Sequence, residues 1–293
     1  MKKGKNLAGF LFIFPALFVL LCIVLYPLLH TLWLSLQNKV LIAPNQDEFV
    51  GFNQYIEVFQ SADLLHALWI TIIFTLTSVA MKLVLGMIGA LLLQVKSKAT
   101  KIYWSIFMIP WLIPSVVAAL IWRWILHDQY GILNQVLLNF NLIDTKVAWL
   151  SDSILALISV ILVDVWVGLP FMIIVCLAGL NTIPKEWYEA AMVDGASFLQ
   201  RFRYITLPGM KPILLVIGIL SLIGTFNSFN IIYTLTGGGP VNATTTLVIH
   251  IYQMAFTNYD FGMASTLSAL TLLIIFILIS LYRKALDKEG DLL

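Results

Sequence analysis

Long apolar runs separated by short polar stretches dominate the chain. Six of them, residues 7–36, 64–93, 103–126, 154–180, 213–235 and 261–282, are long enough to cross about 30 Å of hydrocarbon as helices. The pattern predicts an all-α polytopic membrane protein with six transmembrane helices. The first run would be about 45 Å long as a helix, far beyond the apolar core of a secretory signal. No small-residue cleavage site follows it, so it reads as a retained, tilted first span. The apolar stretch 245–256 is too short to cross and is placed outside the membrane.

Composition agrees. Only 11% of the 293 residues are charged, where a soluble chain would carry about a quarter. Cys22 and Cys176 both lie inside apolar runs and read as packing residues rather than a disulfide framework.

The distribution of charge orients the spans. Lys2, Lys3, Lys5, Lys96, Lys98, Lys101, Lys185, Arg201, Arg203, Lys211, Arg283, Lys284 and Lys288 all fall on one side of the six-span arrangement. The opposite connections hold only Lys39 and Lys146, among acidic residues such as Asp47, Glu48, Asp128 and Asp260. Positive-inside bias then predicts both termini in the cytoplasm. Two basic residues fall within spans. Arg123, between Trp122 and Trp124, is expected to snorkel to an interface belt. Lys82 could snorkel, pair with Asp164, or meet a partner subunit, because an unpaired charge facing lipid costs several kcal/mol.

Between the fourth and fifth spans lies a cytoplasmic segment, 181–212, reading "NTIPKEWYEAAMVDGASFLQRFRYITLPGMKP". Pro184 suits a helix start, and Glu186 and Glu189 put negative charge on its first turns. Ala190 and Ala191, with Asp194 nearby, leave a small-residue surface. Gly195 predicts a stop at a left-handed position and Ser197 a cap on a second helix. Pro208 and Pro212 mark re-entry into the membrane. On pattern alone, this helix–turn–helix could rest on lipid headgroups or receive another surface.

The same segment resembles the EAA loop of permease subunits of bacterial ATP-binding-cassette importers. Glu189, Ala190, Ala191, Gly195, Ile205, Leu207 and Pro208 keep every spacing of that motif. "FVGFNQYIEVF", "PWLIPSVVAALIWRWIL", "DQYGILN" and "YTLTGGGPVNATTTLVIHIYQMAF" extend the resemblance to the maltose-type, carbohydrate-uptake branch. It implies a type I importer permease fold with both termini inside, in a bacterial or archaeal cytoplasmic membrane. It further implies that Glu186, Glu189, Ala190, Ala191, Asp194, Gly195, Ile205, Leu207 and Pro208 form a coupling helix docked on an ATPase dimer. A second permease subunit and an extracytoplasmic sugar-binding protein are the other implied partners. ATP and magnesium would belong to the ATPase, with no cofactor on this chain and no nucleic acid.

Polar positions in the fourth and fifth spans mark a candidate passage. Asp164, Gly168 and Phe171 share one helix face at i, i+4, i+7, and Ser221, Thr225 and Ser228 repeat that spacing. Hydroxyls, a carboxylate and an aromatic ring suit a neutral polyol; helix packing is the plainer alternative for the serines and threonine. In the resemblance these positions line the sugar site. An oligosaccharide is therefore expected, with glycerol phosphate or another polyol as the alternative. The absence of basic residues from those two spans argues against a phosphate. "TGGGP", Thr236 to Pro240, has no GK[ST] and is no phosphate loop; in the resemblance it meets the binding protein. With no Walker A sequence, no paired carboxylates and four scattered histidines, the chain reads as a non-catalytic subunit. A self-sufficient secondary transporter would be expected to show repeated halves or more intramembrane ionisable groups.

Overall fold

A computed structural model describes residues 13–42, 48–94 and 98–288. The chain is helical almost throughout. α1 (Ile13–Leu34), with a π-turn at Leu21–Leu25, leads to a short antiparallel pair, β1 (Gln37–Asn38) and β2 (Glu48–Phe49), in the register Gln37 opposite Phe49. There follow α2 (Asn53–Gln60), α3 (Ala62–Leu93), α4 (Lys98–Leu112), α5 (Ser115–Ile125), α6 (Ile132–Asn139) and α7 (Ser153–Leu180). α8 (Lys185–Val193) and α9 (Phe198–Arg201) form the inter-span segment, and a π-turn (Phe202–Thr206) joins them to α10 (Leu207–Phe226). α11 (Phe229–Leu235), α12 (Leu247–Phe256) and α13 (Phe261–Lys288) complete the order.

Among the described residues five helices are long and apolar enough to cross a membrane, and a sixth crossing requires joining α4 to α5 across a 101° bend. Residues 7–12 of the expected first span lie outside the described residues. The expected continuous third span, 103–126, is instead two half-helices. Its physical cause is in the sequence: Pro110 and Pro114 stand four residues apart. Pro114 lacks the N–H that would bond the carbonyl of residue 110, and it disfavours helical backbone at Ile113. The expected fifth span, 213–235, begins earlier, at Leu207, and breaks at Asn227–Ser228. There the Asn227 amide donates to the Ile223 carbonyl at 2.9 Å, so a side chain competes with the backbone ladder.

Two compact units partition the contacts. The first contains Met1–Leu65 and His250–Leu273. Its apolar centre is Val58, Leu64, Met263 and Leu267. A polar joint accompanies it: Thr266 Oγ1 lies 3.0 Å from the Ser35 carbonyl and 2.9 Å from Gln54 Oε1, while Ser35 Oγ meets Tyr55 OH at 2.6 Å. α1 buries none of its apolar side chains against the described residues. An all-round apolar helix with no protein cover belongs in lipid or against another chain.

The second unit contains His66–Ile249 and Ile274–Leu293 and carries the candidate site. It has two apolar clusters. One gathers Phe74 of α3, Val160, Ile161, Val163 and Val165 of α7 and Ile231, Ile232 and Leu235 of α11. The other gathers Met87 and Ala90 of α3, Met172, Cys176 and Leu180 of α7, and Met210 and Ile217 of α10. α3 and α7 approach closely at the second cluster because α3 presents Gly86 and Gly89 there. A Cβ at Gly86 would lie 2.9 Å from Met172 Cβ and 3.3 Å from its backbone carbon, contacts that a rotamer change cannot relieve. Gly86→Ala is therefore expected to destabilise the fold by about 1–3 kcal/mol, read as a lowered melting temperature of the detergent-solubilised chain. An unchanged melting temperature would show that α3 and α7 are not seated this tightly.

Candidate functional site

Between the two apolar clusters of the second unit lies a polar layer. Lys82 of α3 reaches it, and its Nζ stands 2.5 Å from Asp164 Oδ2 of α7 and donates to Thr225 Oγ1 of α10 at 2.9 Å. Ser228, in the break between α10 and α11, donates to the other carboxylate oxygen, Oδ1, at 3.3 Å. Lys82, Asp164 and Thr225 are 6%, 5% and 2% exposed. Asp164 Oδ2 has no well-directed hydrogen bond; it is held by the ammonium charge. Gly168 packs on the lysine stem, where an added Cβ would sit 2.9 Å from Cε. Of the three roles open to Lys82, the structure realises the pair with Asp164.

Four of the six candidate passage residues, Asp164, Gly168, Thr225 and Ser228, thus meet around one cation. Phe171 and Ser221 do not join them: Phe171 is 40% exposed, and Ser221 lies one helical turn below Thr225. A basic residue does enter the layer, from the second expected span rather than from the fourth or fifth, but its charge is matched by Asp164. The sequence signal was a buried stripe along α3, Thr71, Thr75, Ser78, Lys82, Gly86 and Gly89, with a small or polar residue every three or four positions. That spacing keeps all six on one face turned inward. At its far end Thr71 Oγ1 donates to the Ala67 carbonyl at 2.7 Å and accepts the Leu247 N–H at 2.8 Å.

Alongside the layer, the two broken helices meet. Asn230 of α11 donates to Ser115 Oγ of α5 at 3.4 Å, and Arg123 donates to the Thr234 carbonyl at 3.2 Å. Arg123 thereby ties α5 to α11 as well as carrying a charge at the edge of the run. Asn227 and Asn230 are exposed, and an added Cβ at Gly224 would meet open space. Interrupted backbone and exposed amides inside apolar segments are tolerated where they line a wet cavity or another protein surface, not lipid.

The inter-span segment is built as a projecting pair of short helices. Pro184, expected at the first helical position, instead sits at the N-cap of α8, one residue before the helix begins, and Glu186 occupies its first turn. Asp194 is the C-cap, and Gly195 takes φ +76° with nothing within 4 Å of an added Cβ. Ser197 and Gln200 form a reciprocal capping box on α9. Glu186, Glu189, Ala190, Asp194 and Gly195 are exposed and Ala191 is half-buried. Around them Trp187, Met192, Val193, Phe198 and Leu199 are 51–88% exposed. Of the remainder of the motif, Ile205 packs on the Met210 cluster and Pro208 is half-buried, while Leu207 stays 40% exposed. The motif therefore combines an outward-facing surface with a root that fixes it.

The "TGGGP" turn is stapled rather than loose. Gly237 and Gly238 take positive φ, and the Gly239–Pro240 peptide is cis. Thr244 Oγ1 lies 2.7 Å from Thr236 Oγ1 and 2.8 Å from the Gly239 carbonyl, and Thr245 donates to the Gly238 carbonyl at 2.9 Å. At its tip Val241 is 93% exposed.

Residues 82–288 match the family described as binding-protein-dependent transport system inner membrane component, and the chain belongs to that family. It is 37% identical over 287 residues to the trehalose/maltose transport system permease protein MalF of Thermococcus litoralis, covering 97% of this chain and 95% of the relative. It is 34% identical to the sulfoquinovosyl glycerol transport system permease protein SmoG of Agrobacterium fabrum, covering 92% and 86%. Among solved structures it matches a chain of a bacterial ABC transporter that imports the acidic polysaccharide alginate. The TM-score is 0.82 at 22% identity, over 98% of this chain and 99% of that one. The fold is the type I importer permease fold of a multi-pass membrane protein.

The ion pair sets a test. Asp164→Leu leaves a buried ammonium without its counter-charge, at a cost of about 3–5 kcal/mol, so the yield of folded chain falls along with uptake. The double change Lys82→Met, Asp164→Leu removes both charges and is expected to restore most of the folded yield, measured by size-exclusion chromatography. A double variant no better than Asp164→Leu would mean that the pair does not hold the layer together.

Proposed function

We propose that the chain is one of two membrane-spanning subunits of an ATP-driven importer. It receives a neutral sugar from an extracytoplasmic binding protein and releases it into the cytoplasm by alternating access, with both termini inside. The observation that carries this reading is the surface of α8 and its turn. Exposed acidic, small and large apolar side chains project together on a segment that thirteen basic residues assign to the cytoplasmic side. Apolar side chains left bare outside the membrane mark a docking surface. Small Ala190 and Gly195 let a partner approach closely, and Glu186 and Glu189 supply charge for register. The partner is an ATPase dimer that binds ATP and magnesium; this chain performs positioning and passage, not hydrolysis.

Passage falls to residues that the bundle leaves open. Phe171, Asn227 and Asn230 are exposed and offer an aromatic face and two amides, the groups that recognise a ring and its hydroxyls. Lys82 and Asp164 cancel one another and are sealed from solvent, so the layer behind them offers no free cation. That favours a neutral sugar over glycerol phosphate, although relatives are named for both neutral and acidic carbohydrates. A second permease would supply the opposite wall. Asn227→Leu should raise the KM for uptake in proteoliposomes about tenfold without changing assembly, a shift matching one lost polar contact. An unchanged KM would remove Asn227 from the passage.

The reading is tested by affinity purification in mild detergent with mass spectrometry of retained chains. A stoichiometric ATPase pair and a second permease are expected; a lone chain or homo-oligomer would overturn it and favour a secondary transporter. Gly195→Asp then probes the joint. Aspartate tolerates left-handed backbone at modest cost and its Cβ has room, so the chain still folds. ATP-driven uptake should nevertheless fall at least about tenfold, because a bulky anion enters the docked surface. A normal uptake rate would place the docking surface elsewhere.

A further inference from the structure

A cavity of about 180 Å³ opens between the end of α3 and the root of the projecting helices, lined by Leu91, Gln94, Tyr188, Phe198, Arg201, Phe202 and Thr206. It has several times the volume of one water, about 30 Å³ in the liquid. Arg201 is half-buried, and its Nε is sealed from solvent without a hydrogen-bond partner among the described residues. A guanidinium carries five donors in a planar fork; with Nε turned away from accessible space, the terminal nitrogens of Arg201 are the donors left to meet the cavity it lines, and they suit a bidentate oxyanion. Tyr188 OH and Thr206 Oγ1, 2.9 Å apart, and the Gln94 amide add polar groups to the same wall. Leu91, Phe198 and Phe202 make the other wall apolar. The cavity lies where α3 leaves its apolar run and α10 is about to begin, the place along a span where headgroups are expected.

We infer that this cavity is a phosphate-binding site, taking either the headgroup of an anionic phospholipid or a free phosphate. The ligand would bridge α3 to the root of α8 and α9 through Arg201, bracing the joint from which the projecting helices act. Binding stands on this geometry alone; its consequence for transport rests on the coupling role proposed above.

The test compares the full chain with Arg201→Gln, Arg201→Lys and Arg203→Gln, each reconstituted in nanodiscs of phosphatidylcholine with phosphatidylglycerol and then delipidated for native mass spectrometry. About one retained phosphatidylglycerol per chain is expected, reduced about tenfold in Arg201→Gln and less in Arg201→Lys. Arg203→Gln removes an equal charge from an exposed position and should retain the lipid. Displacement of the lipid by inorganic phosphate would assign the site to free phosphate; retention against it would assign the headgroup. Retention unchanged in Arg201→Gln, or no binding of either probe, overturns the proposal. Should Arg201→Gln not fold, the wild type decides: soluble short-chain phosphatidylglycerol or inorganic phosphate must raise its melting temperature where short-chain phosphatidylcholine does not. Loss of lipid with undiminished ATP-driven uptake would confirm the site and refute its part in coupling.

Discussion

The contact between Lys82 and Asp164 is the constraint on which the rest of the second unit depends. A lysine ammonium placed inside an apolar bundle is untenable alone, and a carboxylate is no better. Together, with hydroxyls from Thr225 and Ser228 on the remaining valences, they form a neutral layer that three helices must share. α3, α7 and α10 therefore cannot slide past one another by a turn without breaking it. The apolar clusters on either side seat the helices, but apolar contacts are non-directional; the charged layer fixes which turn faces which. Gly168 and Gly86 are the steric counterparts, one giving room to the lysine stem and the other to Met172.

One of the helix breaks borders the same layer. Ser228 sits at ψ 83°, outside helical backbone, and its hydroxyl is directed at Asp164. The break also leaves Asn227 and Asn230 exposed beside α5, itself detached from α4 by two prolines. Irregular backbone and open amides thus gather beside the polar layer.

Legibility from sequence divided along the line between local and tertiary information. The projecting helices were readable because their determinants are local: a proline at the start, a glycine that takes φ +76°, and a serine with glutamine three residues on. The bend at Ile113 was equally local, written in Pro110 and Pro114, but an average over the apolar run conceals it. The partner of Lys82 was not readable, since 82 and 164 are joined only by packing, and both residues suit several roles alone. The difference in burial between Phe171 and Asp164 was hidden for a related reason. A shared helix face says which residues line up, not how deep each sits, and here one end of the face is sealed while the other is open. The Arg201 cavity had no sequence signal, because an arginine in a basic cytoplasmic segment needs no explanation until its Nε is found buried.

These features can be joined mechanically through α10. It spans about 30 Å at 1.5 Å per residue, with Thr225 in the polar layer near one end and the Pro208 root of the docking segment at the other. Pro212 lies within its first turns, yet the helix stays continuous, and Tyr282 of α13 donates to the Leu214 carbonyl at 2.6 Å, bracing that stretch. The softer elements lie at its ends: the π-turn 202–206 below and the Asn227–Ser228 break above. Under the coupling role proposed above, a rod with a joint at each end would convert displacement of a docked surface into displacement at the layer. Because interfaces of packed side chains hold discrete arrangements rather than deform continuously, the layer would respond by changing partners at Thr225 and Ser228. The Lys82–Asp164 charge contact, which costs most to open, would remain closed. The same ion pair that fixes the resting register would then serve as the pivot about which the passage side of the bundle opens.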